Sequence, residues 1–186
     1  SATDTLAQSR SDRPSVTVPL PEKIAQRIHE ARWLLFGALG FYLALILGGF
    51  EMADPGWSHA SAVEAVKNPG GLFGAWLADV LLYSFGFSAW GWVALAFFLV
   101  AWGYQRMNHL FGGDRRPLIV ALIGFVLLMA AASALEALRF WSLQAPLPFV
   151  PGGLVGVELG RVVRVNLGFT GGTLLLIALW MAGFSL

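Results

Sequence analysis

A twenty-residue segment occurs twice in this chain, and it is the feature that most restricts the fold. The first copy, residues 69–88, reads PGGLFGAWLADVLLYSFGFS, and the second, residues 151–170, reads PGGLVGVELGRVVRVNLGFT. Nine positions are identical in register, which indicates a tandem duplication in which each copy builds one structural unit. The fold must therefore accommodate the same turn and the same helix start twice.

Composition places this duplicated unit in a lipid bilayer. Hydrophobic residues make up 57% of the chain and charged residues 12%, with a mean hydropathy of +0.69. So little polar surface cannot cover a water-soluble globule, and long stretches carry no charge at all. There is no cysteine, which excludes disulfides, thiolate metal sites and a cysteine nucleophile. We therefore predict an all-α integral membrane protein.

Four membrane-spanning helices are predicted, over about residues 33–51, 85–104, 117–136 and 167–185. The first and third follow from charge-free runs bracketed by charged residues. The second and fourth follow from the repeat, because residues 157–167 carry several charges and each costs about 2.5 to 3.5 kcal/mol at the bilayer centre. The fourth span must then begin near Gly168 and, by register, the second near Gly86, with a backbone break at both glycines.

A short helix is predicted ahead of each of these two spans, over about residues 72–84 and 154–166. A PGGL turn sets each helix start, and the spacing of apolar residues suits an element at the membrane interface or re-entrant between spans. The fold is thus predicted as two hairpins in a parallel repeat, each with a short outer helix before its second span. The pattern leaves open whether these helices are interfacial or re-entrant.

The distribution of basic residues predicts the orientation. Eight of the twelve lysines and arginines lie before the first span or between the second and third, and basic loops stay cytoplasmic. Both termini are therefore expected inside, with two longer loops outside. Residues 1–20 are expected to form a disordered cytoplasmic tail, and residues 21–32 a cytoplasmic helical collar that leads into a membrane domain at residues 33–186.

No residue pattern predicts a catalytic, cofactor-binding or metal site. The three histidines lie outside the apolar runs, which argues against a bilayer haem, and no GxxxxGK[ST] motif for nucleotides occurs. Glu51, Glu136 and Arg32 lie at span ends, where interfacial anchoring is the favoured interpretation. A small polytopic transporter or transporter subunit remains the alternative function, although no ionisable residue lies deep in a predicted span.

Asp79 and Arg161 occupy equivalent positions in the two copies and carry opposite charges. If the two short helices meet about a pseudo-twofold axis, these side chains would pair at the outer face. The alternative is that each points separately to water or to lipid headgroups. The sequence does not decide between the two arrangements.

Two motifs resemble the N-terminal four-span membrane domain of the FtsK/SpoIIIE DNA translocases. They are NPGGLFGAWLADVLLYSFG at residues 68–86 and DPGWS at residues 54–58, which comes just after the first span. The resemblance covers about Trp33 to Leu186 and departs from the family pattern at Gly56, where a serine is expected. The DPGWS segment is interpreted as an outer-loop turn, with fold maintenance favoured over docking of other division proteins.

The resemblance implies a membrane anchor and septal scaffold for an ATP-driven DNA translocase, coupling cell division to chromosome segregation. The motor, with its ATP and Mg²⁺, would lie beyond Leu186, so this segment is expected to have no enzymatic activity, no cofactor and no direct contact with nucleic acid. Its expected partners are the lipid bilayer, other division proteins at the spans and outer loops, and further copies of itself, because the family's motor is hexameric. The expected location is the bacterial inner membrane, enriched at the septum.

Candidate structural or docking residues come from the loop and from the glycine positions of both copies. They are Asp54, Pro55, Trp57, Ser58, Gly70, Gly71, Gly74, Trp76, Asp79, Gly86, Gly152, Gly153, Gly156, Arg161 and Gly168.

Overall fold

The computed structural model of the chain describes residues 22–61, 65–110, 116–140 and 146–186. Its α-helices are α1 (Glu22–Gly48), α2 (Gly71–Phe85), α3 (Trp90–Leu110), α4 (Arg116–Arg139) and α5 (Gly153–Ser185), with a 3-10 turn at Gly86–Ala89 between α2 and α3. No strand occurs among the described residues, in agreement with the predicted all-α class. The predicted tail at residues 1–20 lies outside these residues, and the predicted collar is helical from Glu22 onward.

Length and apolar composition allow three stretches of helix to cross a membrane. They are Gly71–Ala101, Ile119–Arg139 and Gly153–Ser185, and the apolar part of α1, Trp33–Gly48, is shorter. Many large apolar side chains face away from the protein, such as Leu34 at 75% exposed, as lipid-facing surfaces require. These features are consistent with a four-span membrane domain, and Trp33–Leu186 forms one compact unit.

The backbone breaks at both predicted glycines. Gly86 has φ 62° and ψ −139°, and Gly168 has φ 69° and ψ −178°. L-residues with a Cβ rarely adopt such angles, whereas glycine does so at little cost. The first break opens into the 3-10 turn and a new helix, whereas the second kinks α5 without ending it.

The glycine turns that start α2 and α5 share their backbone hydrogen bonds. Gly71 and Gly153 have φ of 65° and 61°, and each amide donates to the carbonyl oxygen three residues earlier at 2.9 Å. Gly74 and Gly156 each donate to the carbonyl oxygen four residues earlier, at 3.1 and 2.9 Å. The copies differ at the first glycine of the pair, where φ is −84° in the first copy and 83° in the second.

An apolar core joins α1 to α2 and to the start of α3. Its buried members are Leu43, Ile46, Leu47, Ala78, Leu82, Ala89, Val93 and Leu147. Gly40 brings α1 close to α3, since a Cβ at this glycine would lie 3.1 Å from the Cβ of Ala96. Small residues of this kind let helix backbones approach in a membrane, where the hydrophobic effect does not drive helices together.

Small residues also join α4 to α5. A Cβ on Gly183 would lie 2.7 Å from the carbonyl oxygen of Gly124, so the two helices touch backbone to backbone at this crossing. Nearer the other end of α4, Ser133 and Ala134 are fully buried. The small-residue face of α4 therefore packs within the chain.

Candidate functional site

The carboxylate of Asp54 closes the loop between α1 and α2. Asp54 is 2% exposed, and its two oxygens accept the backbone amides of Lys67 at 2.9 Å and Asn68 at 2.8 Å. Hydrogen bonds to an ionised acceptor are about twice as strong as neutral ones. Asp54 is thus a structural residue, in line with the interpretation of the DPGWS segment as a turn.

Asn68 connects the end of α1 to the start of α2. Its side-chain amide nitrogen donates to the carbonyl oxygens of Ile46 at 2.9 Å and Gly49 at 3.2 Å, and its side-chain oxygen accepts the amide of Gly70 at 2.9 Å. Terminal helix carbonyls lack intrahelical partners and need such capping. This bonding stabilises the end of α1 at Gly48, short of the predicted limit of 51.

Asp79, on α2, holds the tip of the same loop. It is 1% exposed, and its carboxylate accepts the backbone amide of Ser58 at 2.6 Å and the Ser58 hydroxyl at 2.9 Å. His59 lies beside it, with Nδ1 3.8 Å from the carboxylate, and its Nε2 is 2.9 Å from the carbonyl oxygen of Asp54. The two aspartates therefore fix one loop from both ends.

Gly56 is required by this arrangement. A Cβ at position 56 would lie 2.6 Å from an oxygen of the Asp79 carboxylate, inside van der Waals contact. The carboxylate is itself held by two hydrogen bonds from Ser58, so moving it away from a Cβ at position 56 would strain those bonds. The departure from the serine expected at this position thus has a steric cause in this chain.

Neither of the two arrangements left open for Asp79 and Arg161 holds in full, because the two side chains do not pair and only Arg161 points outward. The Asp79 carboxylate is buried and bonded to Ser58, whereas Arg161 is 59% exposed at its side chain and pairs with Glu158 one turn earlier on the same helix, at 3.3 Å. The short helices do not present these positions to each other, because α2 turns Asp79 towards its own loop and α5 turns Arg161 outward.

Three aromatic rings connect the loop before α2 to the loop before α5. Trp57 lies edge to face on Tyr83 of α2 with ring centroids 5.3 Å apart, and Tyr83 lies 4.9 Å from Phe149. Trp57 remains 57% exposed and Phe149 39% exposed. Trp76 also lies on the exposed face of α2, at 43%. The loop thus presents a tryptophan on a rigid base, with Pro55 half-buried beside it.

The carboxylate of Glu136, in the second half of the chain, binds the backbone that follows the break at Gly86 in the first half. Glu136 is 5% exposed, and its carboxylate accepts the amide of Phe87 at 2.7 Å and both the amide and the hydroxyl of Ser88 at 2.9 Å. The 3-10 turn after Gly86 lacks a full set of helical partners, and the carboxylate supplies them. The expected role of Glu136 as an interfacial anchor is therefore wrong, since its carboxylate is buried inside the protein.

The glycines that start α5 let three backbone segments meet. Gly152 and Gly156 touch the carbonyl oxygen of Ser133 in α4 so closely that a Cβ on either would overlap it. A Cβ on Gly153 would lie 2.5 Å from the backbone nitrogen of Phe85, at the end of α2. Contacts this short are possible only where no Cβ exists.

The remaining predicted glycines divide into packed and open positions. Gly70 and Gly74 lie against Ile46 of α1, where a Cβ would be 2.5 and 2.9 Å from its Cγ2 atom. A Cβ on Gly71 or on Gly168 would meet no atom within 4 Å. These last two positions need glycine for their backbone angles alone.

Asn68, Ser88 and Glu136 were not recognised as site residues from the sequence. One signal for Glu136 was present, because it stands 82 residues after Asp54, which is the spacing of the repeat. An equivalent position in the repeat, however, does not show which backbone amides a carboxylate will bind. Among the described residues, no group of three or more acidic or histidine side chains is arranged to hold a metal ion.

Residues 25–186 match a protein family described as the 4TM region of DNA translocase FtsK/SpoIIIE. The chain is 42% identical over 175 residues to DNA translocase FtsK 2 of Ralstonia nicotianae, an alignment that covers 90% of this chain and 22% of that protein. It is 35% identical over 168 residues to DNA translocase FtsK 1 of Neisseria meningitidis serogroup B, with 89% and 21% covered.

A third relative, DNA translocase FtsK of Pseudomonas syringae pv. syringae, is 34% identical over 181 residues, with 92% of this chain and 22% of that protein covered. The chain therefore spans about a fifth of the length of these relatives. No solved structure gives a significant match. Because the match extends over most of the chain, the chain belongs to the FtsK/SpoIIIE family as its 4TM region, which confirms the resemblance found in the sequence.

Proposed function

We propose that this chain anchors an ATP-driven DNA translocase in the bacterial inner membrane and positions it at the division septum, so that division is coupled to chromosome segregation. The observation that carries this proposal is the family match over residues 25–186. The apolar helices supply the means of anchoring, because three of them are long enough to cross a bilayer. The motor, with its ATP, Mg²⁺ and DNA sites, is proposed to follow Leu186.

We further propose that both termini are cytoplasmic and that the loops before α2 and α5 lie outside. The excess of basic residues before the first span and between the second and third supports this orientation. It also brings Leu186 to the side where a DNA motor works. Cysteines introduced at Ser61 and Asn108 should react with a membrane-impermeant thiol reagent from opposite sides of the membrane. Labelling of both from the same side would contradict the orientation.

The two short helices are proposed to be repeated outer elements of two parallel hairpins. The shared turn at Gly71 and Gly153 and the shared break at Gly86 and Gly168 support the repeat. Their surroundings favour different placements, since α2 buries one face that includes Ala78, Asp79 and Leu82, whereas the first part of α5 exposes Val165 at 76%. We place α2 between the spans and the start of α5 at the membrane interface.

Trp57 is the proposed docking residue for another division protein. It is more than half exposed, and the carboxylates of Asp54 and Asp79 hold its loop in one conformation. Exposed aromatic side chains on a rigid base are typical anchors of protein interfaces. The buried aspartates are proposed to act through this loop and not by contact with a partner.

The anchoring role is tested by replacing residues 1–186 of the intact protein with an unrelated four-span anchor. Membrane attachment should persist while enrichment at the septum is lost, and retained enrichment would contradict the proposed scaffold. The coding sequence after Leu186 gives an independent check. A proline-rich linker followed by GxxxxGK[ST] supports the anchor, whereas a stop codon directly after Leu186 would overturn it.

The docking role is tested by Trp57→Ala, with Trp180→Ala as the matched control. Trp180 is the same residue type, 41% exposed near the far end of α5. Trp57→Ala should reduce the septal fraction of a fluorescent fusion at unchanged protein level, whereas Trp180→Ala should leave it unchanged. Equal effects of the two substitutions would show that Trp57 has no particular role in docking.

A further inference from the structure

The two halves of the chain meet through one surface from each copy of the repeat. The first half contributes the break surface, which we define as Ser84 to Gly86. The second half contributes the turn surface, defined as Gly152 and Gly153. These surfaces touch backbone to backbone, since a Cβ on Gly86 would lie 2.9 Å from the Cα of Gly152. Only glycine on both sides allows this approach.

Because the segment is duplicated, each half also carries the surface that the other half uses. The first copy has a second turn surface at Gly71, the counterpart of Gly153, and the second copy has a second break surface at Gly168. Gly70, the counterpart of Gly152, is instead packed against Ile46 within the chain. The backbone agrees at these glycines, with φ of 65° at Gly71 against 61° at Gly153, and 69° at Gly168 against 62° at Gly86. The first glycine of each turn differs, with φ of −84° at Gly70 against 83° at Gly152. In both cases a Cβ at Gly71 or Gly168 would meet no atom within 4 Å.

The residues around the second break surface are exposed where their counterparts are covered. Gly168 and Gly171 are exposed, whereas their counterparts Gly86 and Ala89 are buried. Leu167, next to the break, is 50% exposed. The adjacent Phe169 ring lies 4.4 Å from the guanidinium of Arg139 and is still 47% exposed.

The second turn surface is also bordered by exposed residues, although Leu154, the counterpart of Leu72, is itself 45% exposed. Leu72, directly after Gly71, is 63% exposed. In the loop after α1, Met52 is 46% exposed, although its counterpart 82 residues later, Ala134, is fully buried. Gly71 and Gly168 are therefore open, whereas their counterparts Gly153 and Gly86 are packed against backbone.

We propose that the second break surface of one chain binds the second turn surface of another copy of the same chain. The contact repeats between chains the packing of Gly153 against Phe85 within the chain, with Gly71 placed against Leu167. It is heterologous, because two different surfaces meet, so it builds a ring if the rotation closes. A second copy would cover the exposed backbone at Gly168, where a Cβ would meet no atom of the same chain within 4 Å. Neither septal localisation nor the motor is needed for this contact.

Disulfide crosslinking tests the contact directly, because residues 1–186 contain no cysteine. Within one chain, the positions next to the contact are Phe85 and Leu154, and their counterparts between chains are Leu167 and Leu72. Two tagged forms of the intact protein are therefore co-expressed in cell membranes, one with Leu167→Cys and one with Leu72→Cys. Any cysteine outside residues 1–186 is replaced in both. Both changed side chains are half or more exposed, so the fold should be retained.

The matched control replaces Leu167→Cys by Leu174→Cys, which lies two turns further along α5 and is 65% exposed. A single chain with Phe85→Cys and Leu154→Cys serves as the intrachain positive control. The Leu72 and Leu167 pair should give about tenfold more mixed dimer than the Leu72 and Leu174 pair, because binding raises the effective concentration of the two thiols.

Three results would overturn the proposal. Equal yields from the test and control pairs would mean that lipid covers both surfaces. A predominance of Leu72→Cys or Leu167→Cys homodimers would indicate an isologous contact instead. Absence of the mixed dimer where the intrachain control forms completely would show that the two surfaces do not meet. Septal localisation can be scored in the same cells, so failure of the contact is distinguishable from failure of the anchor.

Discussion

The two halves of the chain use the same register position differently. Asp54 in the first half and Glu136 in the second are one repeat length apart, and both are buried carboxylates that accept two backbone amides. Asp54 binds amides of its own loop, whereas Glu136 binds the amides of Phe87 and Ser88 in the other half. The acidic side chain of the first half thus binds within its own half, whereas that of the second half binds backbone amides of the first half.

Helix length explains this difference. α1 ends at Gly48, which corresponds to position 130 in the second copy because 48 plus 82 is 130, whereas α4 continues to Arg139. Glu136 therefore projects from a helix that passes the break of α2, and Asp54 lies in a loop that folds back. After the duplication, the glycine-dependent backbone was retained, and the length of one helix decided which contacts the acidic side chain makes.

The largest loss of stability is expected for alanine substitution at the two break glycines, Gly86 and Gly168. Gly86→Ala and Gly168→Ala should each cost about 2 kcal/mol of unfolding free energy from backbone strain. Gly86→Ala should cost about 2 kcal/mol more from overpacking, because its Cβ would overlap the backbone of Gly152. Thermal unfolding in detergent micelles measures both. If the two variants unfolded at the same temperature, the break of α2 would not be packed as described.

Glu136→Ala should be nearly as severe, with a loss of about 3 kcal/mol, because it leaves the backbone amides of Phe87 and Ser88 without their charged acceptor. Glu158→Ala is the control, since this carboxylate is 55% exposed and its surface ion pair contributes about 0.5 kcal/mol or less. Both are measured by denaturant unfolding in the same detergent. A small effect of Glu136→Ala would mean that the halves are joined by glycine packing alone.

Asp79→Ala should cost about 2 kcal/mol through loss of the two hydrogen bonds from Ser58, and should increase proteolysis of the loop at residues 49–61. Arg161→Ala should change the unfolding free energy by about 0.5 kcal/mol or less. Combining Asp79→Arg with Arg161→Asp should not restore stability, because the two side chains have different partners. Recovery of stability in that double variant would show that the two side chains interact after all.

Gly56→Ala is expected to have the smallest effect among the buried sites, about 1 kcal/mol from overlap with the Asp79 carboxylate. The overlap disappears in an Asp79→Ala background, so the double variant should cost less than the sum of the single ones. A double-mutant cycle on unfolding free energies measures this coupling. Strict additivity would show that Gly56 is required for a reason other than the carboxylate.

Local features of this protein were readable from its residues. The breaks at Gly86 and Gly168 followed from paired glycines in register, and the charge-free runs located α4 and the apolar part of α1 to within a few residues. Capping and long-range bonding were not readable in this way. The end of α1 at Gly48 depends on Asn68, and the continuation of α4 beyond the predicted limit of 136 depends on contacts with α5.

The sequence by itself determined that the chain is helical, apolar and duplicated, because helix formation, lipid exposure and positive φ at glycine depend on nearby residues. Only the tertiary structure decided the partners of the acidic side chains. Asp79 binds Ser58, 21 residues away, and Glu136 binds Phe87, 49 residues away. A carboxylate binds whichever amide donors the packed helices bring within reach, so its partner depends on the positions of distant backbone segments.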